Sequence, residues 1–337
     1  MIIVVEKRNW SPKYVPRTVL VDLDPSPIEQ VISSDMGNLF DRDDMFMGLS
    51  STNALWPIGH YIEGDSVVTP MMDKVRKEIE SCDWFHAFQL NFSTCGGTGS
   101  GVGALILGKL REEYPDRIVE NYAVFPSQKT GCDPLSIYNT VSISMNLIEN
   151  SDLTRVIDNE GAYESCFKNY KTKNPTIDDF NNVFSDMMIE TSSTIRYSHK
   201  NICDFRKLAV LMKPFPRMSF LMTSSVIQFD NNDINAFVKD LHNTKHLLLS
   251  IPASKGRCLS TNYIVRGRDP STKFNREVAA YTSENNYEYA DFARPDINTT
   301  NPSQSSQKKG QVTGTLTSVS SNMGNYLECK FILQFWF

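Results

Sequence analysis

The stretch Thr94-Cys95-Gly96-Gly97-Thr98-Gly99-Ser100-Gly101 constrains this chain more than any other, because an apolar strand leads into it and an amphipathic helix leaves it. Residues 84–92 run apolar as a buried strand does. Residues 102–113 carry Val102, Leu105, Ile106 and Leu110 at helical spacing and end at Tyr114-Pro115. Glycines at such a junction let backbone N–H groups approach a phosphate, and the helix N-terminus adds the positive end of its dipole. The pattern is neither the Gly-Lys-Ser/Thr phosphate loop nor GxGxxG. A tightly packed turn explains the same glycines, so spacing alone leaves both readings open.

Strands at 19–23, 84–92 and 119–125 alternate with helices at 65–81 and 102–113, the first helix placing Val68, Met71, Met72, Val75 and Ile79 on one face. This alternation predicts an α/β fold with a parallel sheet covered on both faces. Ligands of such sheets sit beyond the carboxyl ends of the strands, where Asp22-Leu23-Asp24 and the glycine loop both fall. Residues 1–5 read as the first strand of a sheet. Residues 159–170 and 176–197 read as central helices. A second block follows, with strands near 217–223, 258–266 and 327–337 and a helix over 233–246. Residues 298–322, rich in Ser, Thr, Asn, Gln and Gly, read as a loop or partly disordered segment. The apolar end 331–337 is either a buried strand or an insert into a partner.

Bulk properties narrow the class. A chain of 337 residues, 40% hydrophobic, can bury a large core spread over about two domains. No apolar run reaches about 18 residues, so no transmembrane helix is expected. The apolar start is too short for a signal peptide. A net charge of −5 argues against nucleic acid as a partner. Seven cysteines without a CxxC pair suit a reducing compartment. His242 and His246 stand four apart, but they lack the acid of HExxH and any third ligand. They read as an exposed helix face, with no metal site.

Further segments carry a resemblance. Lys13-Tyr14-Val15-Pro16-Arg17, Gly59-His60-Tyr61 with Glu63-Gly64, and Val75-Arg76-Lys77-Glu78 precede the glycine loop. After it come Lys109-Leu110-Arg111-Glu112-Glu113-Tyr114-Pro115, Ile157-Asp158-Asn159-Glu160, Arg206-Lys207-Leu208-Ala209-Val210 and Pro214-Phe215-Pro216-Arg217. In that order they resemble the tubulin family, β-tubulin in particular, strongly over residues 13–222 and faintly to about 325. The resemblance implies a tubulin-like α/β fold: a Rossmann-type GTP-binding domain at 1–158, central helices at 159–197, and a smaller α+β domain at 198–337. It implies GTP or GDP with magnesium as cofactor.

Roles carry over only where residues match. Asp22 and Asp24 match the acidic pair beside the phosphates, Asp24 at the magnesium-facing position where the family usually has Glu. Ser93, Gly96, Gly97, Thr98 and Gly99 match phosphate-holding positions, and Asn159 and Asn181 match the asparagines that read guanine and ribose. Other positions depart. Ala54 replaces an asparagine that contacts phosphate, Cys95 the first loop glycine, Cys132 and Ser136 the sugar-side acids, and Ile177 the ring that stacks on the base. Cys95 is tolerated only at negative φ. The family's first phosphate loop, the lateral-contact loop between Met222 and Asp233, and the C-terminal helices are expected to be missing.

Each lost charge-assisted bond costs about 1.5–3 kcal/mol, so three or four losses predict weak or absent GTP binding. Lys207 follows the β pattern at the position where a subunit's acid activates its neighbour's nucleotide, and lysine cannot orient a water as a carboxylate does. No catalytic residue is therefore expected. The sequence reads as a non-catalytic scaffold subunit of a larger assembly with protein partners, cytoplasmic and associated with the cytoskeleton. The alternative is a GTP-binding cytoskeletal tubulin that assembles into microtubules with α-tubulin.

Overall fold

The computed structural model describes residues 2–8, 11–48, 51–126, 133–167, 175–196, 204–229, 234–250, 256–266, 271–284, 289–290, 293, 295–300, 312–321 and 323. Two units emerge, Met1–Val119 with Asp133–Asn150, and Glu120–Cys132 with Ser151–Phe337.

In the first unit, β1 (Ile2–Arg8) and β2 (Ser11–Arg17) pair antiparallel, from Ile2↔Arg17 to Arg8↔Ser11. Residues 2–5 thus enter a strand as expected, in a two-stranded ribbon apart from the main sheet. A partner strand a few residues away closes with little loop entropy. β3 (Leu20–Asp22) likewise stands apart from the main sheet, parallel to β4 (Met45–Met47). Between them runs α1 (Pro25–Ser33), opened by Pro25 and capped by the Asp24 carboxylate, which accepts from the Ser26 amide. The periodic segment forms α2 (Gly64–Glu80), which buries Val67, Val68, Met71 and Met72. β5 (Ala87–Ser93), α3 (Gly103–Glu113) and α4 (Pro134–Asn150) complete the unit. Val102, Ile106, Leu110 and Leu23 close the core around α2. Each buried side chain of this size contributes about 1.5–3 kcal/mol. Together they carry α2 past its internal Pro70, which costs an interior helix about 3 kcal/mol.

The second unit holds β6 (Ile118–Phe125) from Glu120 onward, β7 (Leu153–Asp158), β8 (Phe220–Phe229), β9 (Cys258–Arg266), β10 (Pro295–Thr300) and β11 (Val312–Ser320). Their order is β10-β9-β11-β8-β7-β6. β6, β7 and β8 run parallel; β11 enters antiparallel between β8 and β9. Its helices are α5 (Asn159–Ser165), α6 (Ile177–Thr191), α7 (Ser193–Arg196), α8 (Phe205–Met212), α9 (Ile234–His242) and α10 (Ser271–Glu284). Phe237, Val238 and Leu241 of α9 and Phe274 and Val278 of α10 pack on Val226, Tyr263, Val265 and Leu316 of the sheet. Val183 and Met187 of α6 pack with Tyr122 and Ile157.

Three expectations are corrected here. The segment 298–322 is not simply a loop: it contains the end of β10 and all of β11, with Thr313, Thr315, Thr317 and Ser318 buried. Threonine is β-branched and suits a strand. Its hydroxyls also find partners, Thr317 accepting from Arg155 at 2.9 Å and Thr313 donating to Glu190 at 2.9 Å. The helix read over 176–197 breaks at Ser192, whose hydroxyl donates to the Met188 carbonyl at 2.7 Å. His242 and His246 do not form an exposed face. His246 is buried, while His242 meets the Tyr263 hydroxyl at 2.7 Å and stacks on Tyr281 at 4.3 Å. Burial lowers the His242 pKa to about 4. The strand read at 327–337 lies outside the described residues.

Arg155 and Glu120 form an ion pair at 2.9 Å with both side chains 1% exposed. Thr223 and Thr317 accept from the guanidinium, which also faces the Tyr122 ring.

Candidate functional site

β5 delivers Thr94 and Cys95 to the glycine run, and a wide π-type turn, Thr98–Val102, carries the chain into α3. Ser100 donates its amide at 3.1 Å and its hydroxyl at 2.6 Å to the Gly96 carbonyl. Packing demands glycine at three positions, Gly101 among them, where a Cβ would lie 2.6 Å from the Trp56 carbonyl oxygen. A Cβ on Gly97 would lie 2.4 Å from Thr52 Oγ1, and one on Gly99 would lie 2.1 Å from the Ser93 carbonyl oxygen. Gly96 differs, because a Cβ there would meet nothing within 4 Å. A packed turn therefore accounts for Gly97, Gly99 and Gly101 and leaves Gly96 unexplained. Gly96 thus has a backbone face free of neighbours where a Cβ would stand. Cys95 is not among the described non-glycine residues at positive φ, as the sequence requires.

A second segment reaches this loop. Residues 52–55 close a type I′ turn, with the Leu55 amide donating to the Thr52 carbonyl at 3.0 Å, Asn53 at φ 50 and Ala54 at φ 58. Asparagine tolerates that region, whereas alanine pays roughly 1–2 kcal/mol. Asn139 of α4 joins turn and loop. Its Oδ1 accepts from the Trp56 amide at 3.0 Å, and its Nδ2 donates to the carbonyls of Ala54 at 2.7 Å and Cys95 at 2.8 Å. Trp56 also stacks on His60 at 4.5 Å, and His60 Nδ1 meets the Gly101 carbonyl at 3.1 Å. Sequence reasoning passes over Asn139; the available signal was an asparagine inside a helix with one charged residue, Glu149.

The other candidates fall elsewhere. Asp22 Oδ1 accepts from the Asp24 amide at 3.1 Å and Asp24 Oδ1 from the Ser26 amide at 3.0 Å, bonds that stay within residues 22–26. Ser93 is exposed, its hydroxyl accepting from the Cys95 amide at 3.3 Å. In the second unit Asn159 opens α5, half-buried behind the Asp158 cap. Asn181 is exposed on α6, one turn beyond Ile177, and α5 packs on α6. The structure thus gathers Ser93, the glycines and the 52–55 turn, places the acidic pair at its own strand end, and sets the two asparagines on adjacent helices. Lys207 is exposed on α8, and Cys132 lies outside the described residues. Among the described residues no three acidic, histidine or cysteine side chains converge on a metal. Magnesium at Asp24 would depend on phosphate oxygens for its remaining ligands.

A family model described as the Tubulin/FtsZ family, GTPase domain, matches residues 6–167. The tubulin beta-6 chain of Gallus gallus is 37% identical over 290 residues, which cover 84% of this chain. The chain belongs to the tubulin family. It spans 65% of the length of that β-tubulin relative. The domain match takes in the acidic pair, the 52–55 turn, the glycine loop and Asn159, and it stops before Ile177 and Asn181. The fold is accordingly a tubulin-like α/β fold, with strands β6 to β8 parallel in its sheet.

Proposed function

We propose that this tubulin-family chain is a β-tubulin-like structural subunit of a larger assembly, with a weakened GTP site and no catalysis of its own. The observation that carries the reading is Ala54. Its methyl occupies the turn tied to the glycine loop, where an asparagine amide would offer phosphate a donor. A missing charge-assisted bond there costs about 1.5–3 kcal/mol. Three features add support. The Asp24 carboxylate already caps α1. Ile177, 75% exposed, offers an aliphatic side chain in place of a stacking ring. Exposed Lys207 presents an ammonium where water activation needs a carboxylate.

The proposed nucleotide-binding positions are Asp22, Asp24, Ser93, Gly96, Gly97, Thr98, Gly99, Asn159 and Asn181. The open face at Gly96 favours a second reading, a GTP-binding cytoskeletal tubulin that assembles with α-tubulin into microtubules. The proposed domains are 1–158, 159–197 and 198–337. The proposed partners are proteins of the cytoplasmic cytoskeleton; a net charge of −5 disfavours nucleic acid. No described helix is long and apolar enough to cross a membrane. The test is the nucleotide content of native protein, read by chromatography after denaturation. Little or no guanine nucleotide is expected. GTP or GDP near one per chain, with co-pelleting alongside α-tubulin, would establish the second reading.

A further inference from the structure

We infer that Asn139 is a positioning residue that holds the glycine loop open without a ligand. The inference rests on the glycine loop being the phosphate-facing element of the proposed site, and it says what keeps that element in shape. Asn139 is 3% exposed and uses both hydrogens of its amide group on the Ala54 and Cys95 carbonyls, at 2.7 and 2.8 Å. Its oxygen takes the Trp56 amide at 3.0 Å. The orientation follows from chemistry: carbonyls only accept and a backbone N–H only donates, so a flipped amide would lose all three bonds. The asparagine side chain is itself buried, so on its own side water does not replace those bonds.

One side chain therefore clamps two segments distant in sequence. The grip on the Ala54 carbonyl falls on a residue in a conformation that persists only where its surroundings determine it. The same clamp holds the turn close against the loop, with Thr52 Oγ1 2.4 Å from where a Cβ on Gly97 would lie. The neighbouring Thr140 hydroxyl meets Thr94 Oγ1 at 3.2 Å and steadies the loop entrance without reaching the turn. In a loop organised by its ligand, the oxygens of the anion order the backbone. Here a side chain does so, and Gly96 keeps its open face whether or not an anion is present.

The test is hydrogen–deuterium exchange on the full chain, native and as Asn139→Ala and Asn139→Asp, with and without GTP–magnesium. Asparagine to aspartate keeps the shape and removes both donors. In the native chain, peptides covering 52–56 and 94–97 stay equally protected with and without nucleotide. Either variant speeds exchange in those two peptides about tenfold, while α2 and α3 stay as they were. Adding Ala54→Gly to Asn139→Ala restores part of the protection at 52–56, since glycine takes the left-handed region without being held. Three results would overturn the inference: unchanged exchange in both variants, uniform acceleration across the first unit, or native loops protected only once nucleotide is added. Stoichiometric GTP in purified protein would sink the scaffold reading yet leave Asn139 standing, provided nucleotide-stripped chain keeps its loop protection.

Discussion

The glycine-loop region of the first unit and the sheet interior of the second both bury polar side chains, and they satisfy them differently. Around the loop the backbone is irregular, and one asparagine amide meets three main-chain groups. In the sheet the ladder already satisfies the backbone, and buried side chains pair among themselves. Arg155, Glu120, Thr223 and Thr317 form one network, while Thr315 Oγ1 and Asn262 Nδ2 are buried without a partner. An irregular loop needs its polar side chain to hold a shape. A regular strand tolerates polar side chains one by one, each unpaired group costing about 1–3 kcal/mol.

That contrast breaks most visibly at the ion pair. Arg155→Met takes the guanidinium away from the buried Glu120 carboxylate, and the expected loss is about 3–5 kcal/mol in urea unfolding of the second unit. Arg155→Met with Glu120→Leu recovers most of it. A single variant as stable as the native chain would show that the sheet interior is wetter than its burial implies. The next effect is a pH dependence of the same unit. His242 has a folded pKa of about 4 against an ordinary 6.5, so its contribution is complete above the ordinary value. Stability falls as pH drops from about 6.5 towards 4, by roughly 2–3 kcal/mol. Tyr263, Tyr281 and Tyr289 surround the ring, and His242→Phe should flatten that limb in melts at pH 7 and pH 5.

Smaller effects sharpen the loop side. Ala54→Gly relieves the left-handed alanine and should raise stability by about 1 kcal/mol; a loss there would mean that the turn is unstrained. Thr315→Val removes a buried hydroxyl without a partner, keeps the β-branch, and should be neutral or stabilising by up to about 1 kcal/mol. A loss of stability would reveal a hydrogen bond to solvent inside the sheet.

Reading the sequence succeeded where the signal is local. The strand-to-helix glycine junction, the α2 stripe of Val68, Met71 and Met72, and β9 at Cys258–Arg266 lie where their residue patterns place them. It failed at β11, where Ser, Thr and Gly read as a loop because composition does not register that Arg155 and Glu190 wait to receive the hydroxyls of Thr317 and Thr313. It also placed β3 in the main sheet, since an apolar run carries no record of its pairing partner.

By itself the sequence determined the family, the α/β class and the glycine junction, because each is written in contiguous residues with their own periodicity or chemistry. Only the tertiary structure decided that Gly96 is open while Gly97 and Gly99 are packed, that Ala54 is left-handed, that His242 is withdrawn from water, and that Asn139 joins the turn to the loop. Each of those depends on atoms brought from distant parts of the chain, and such distances are set by packing, which no local pattern encodes.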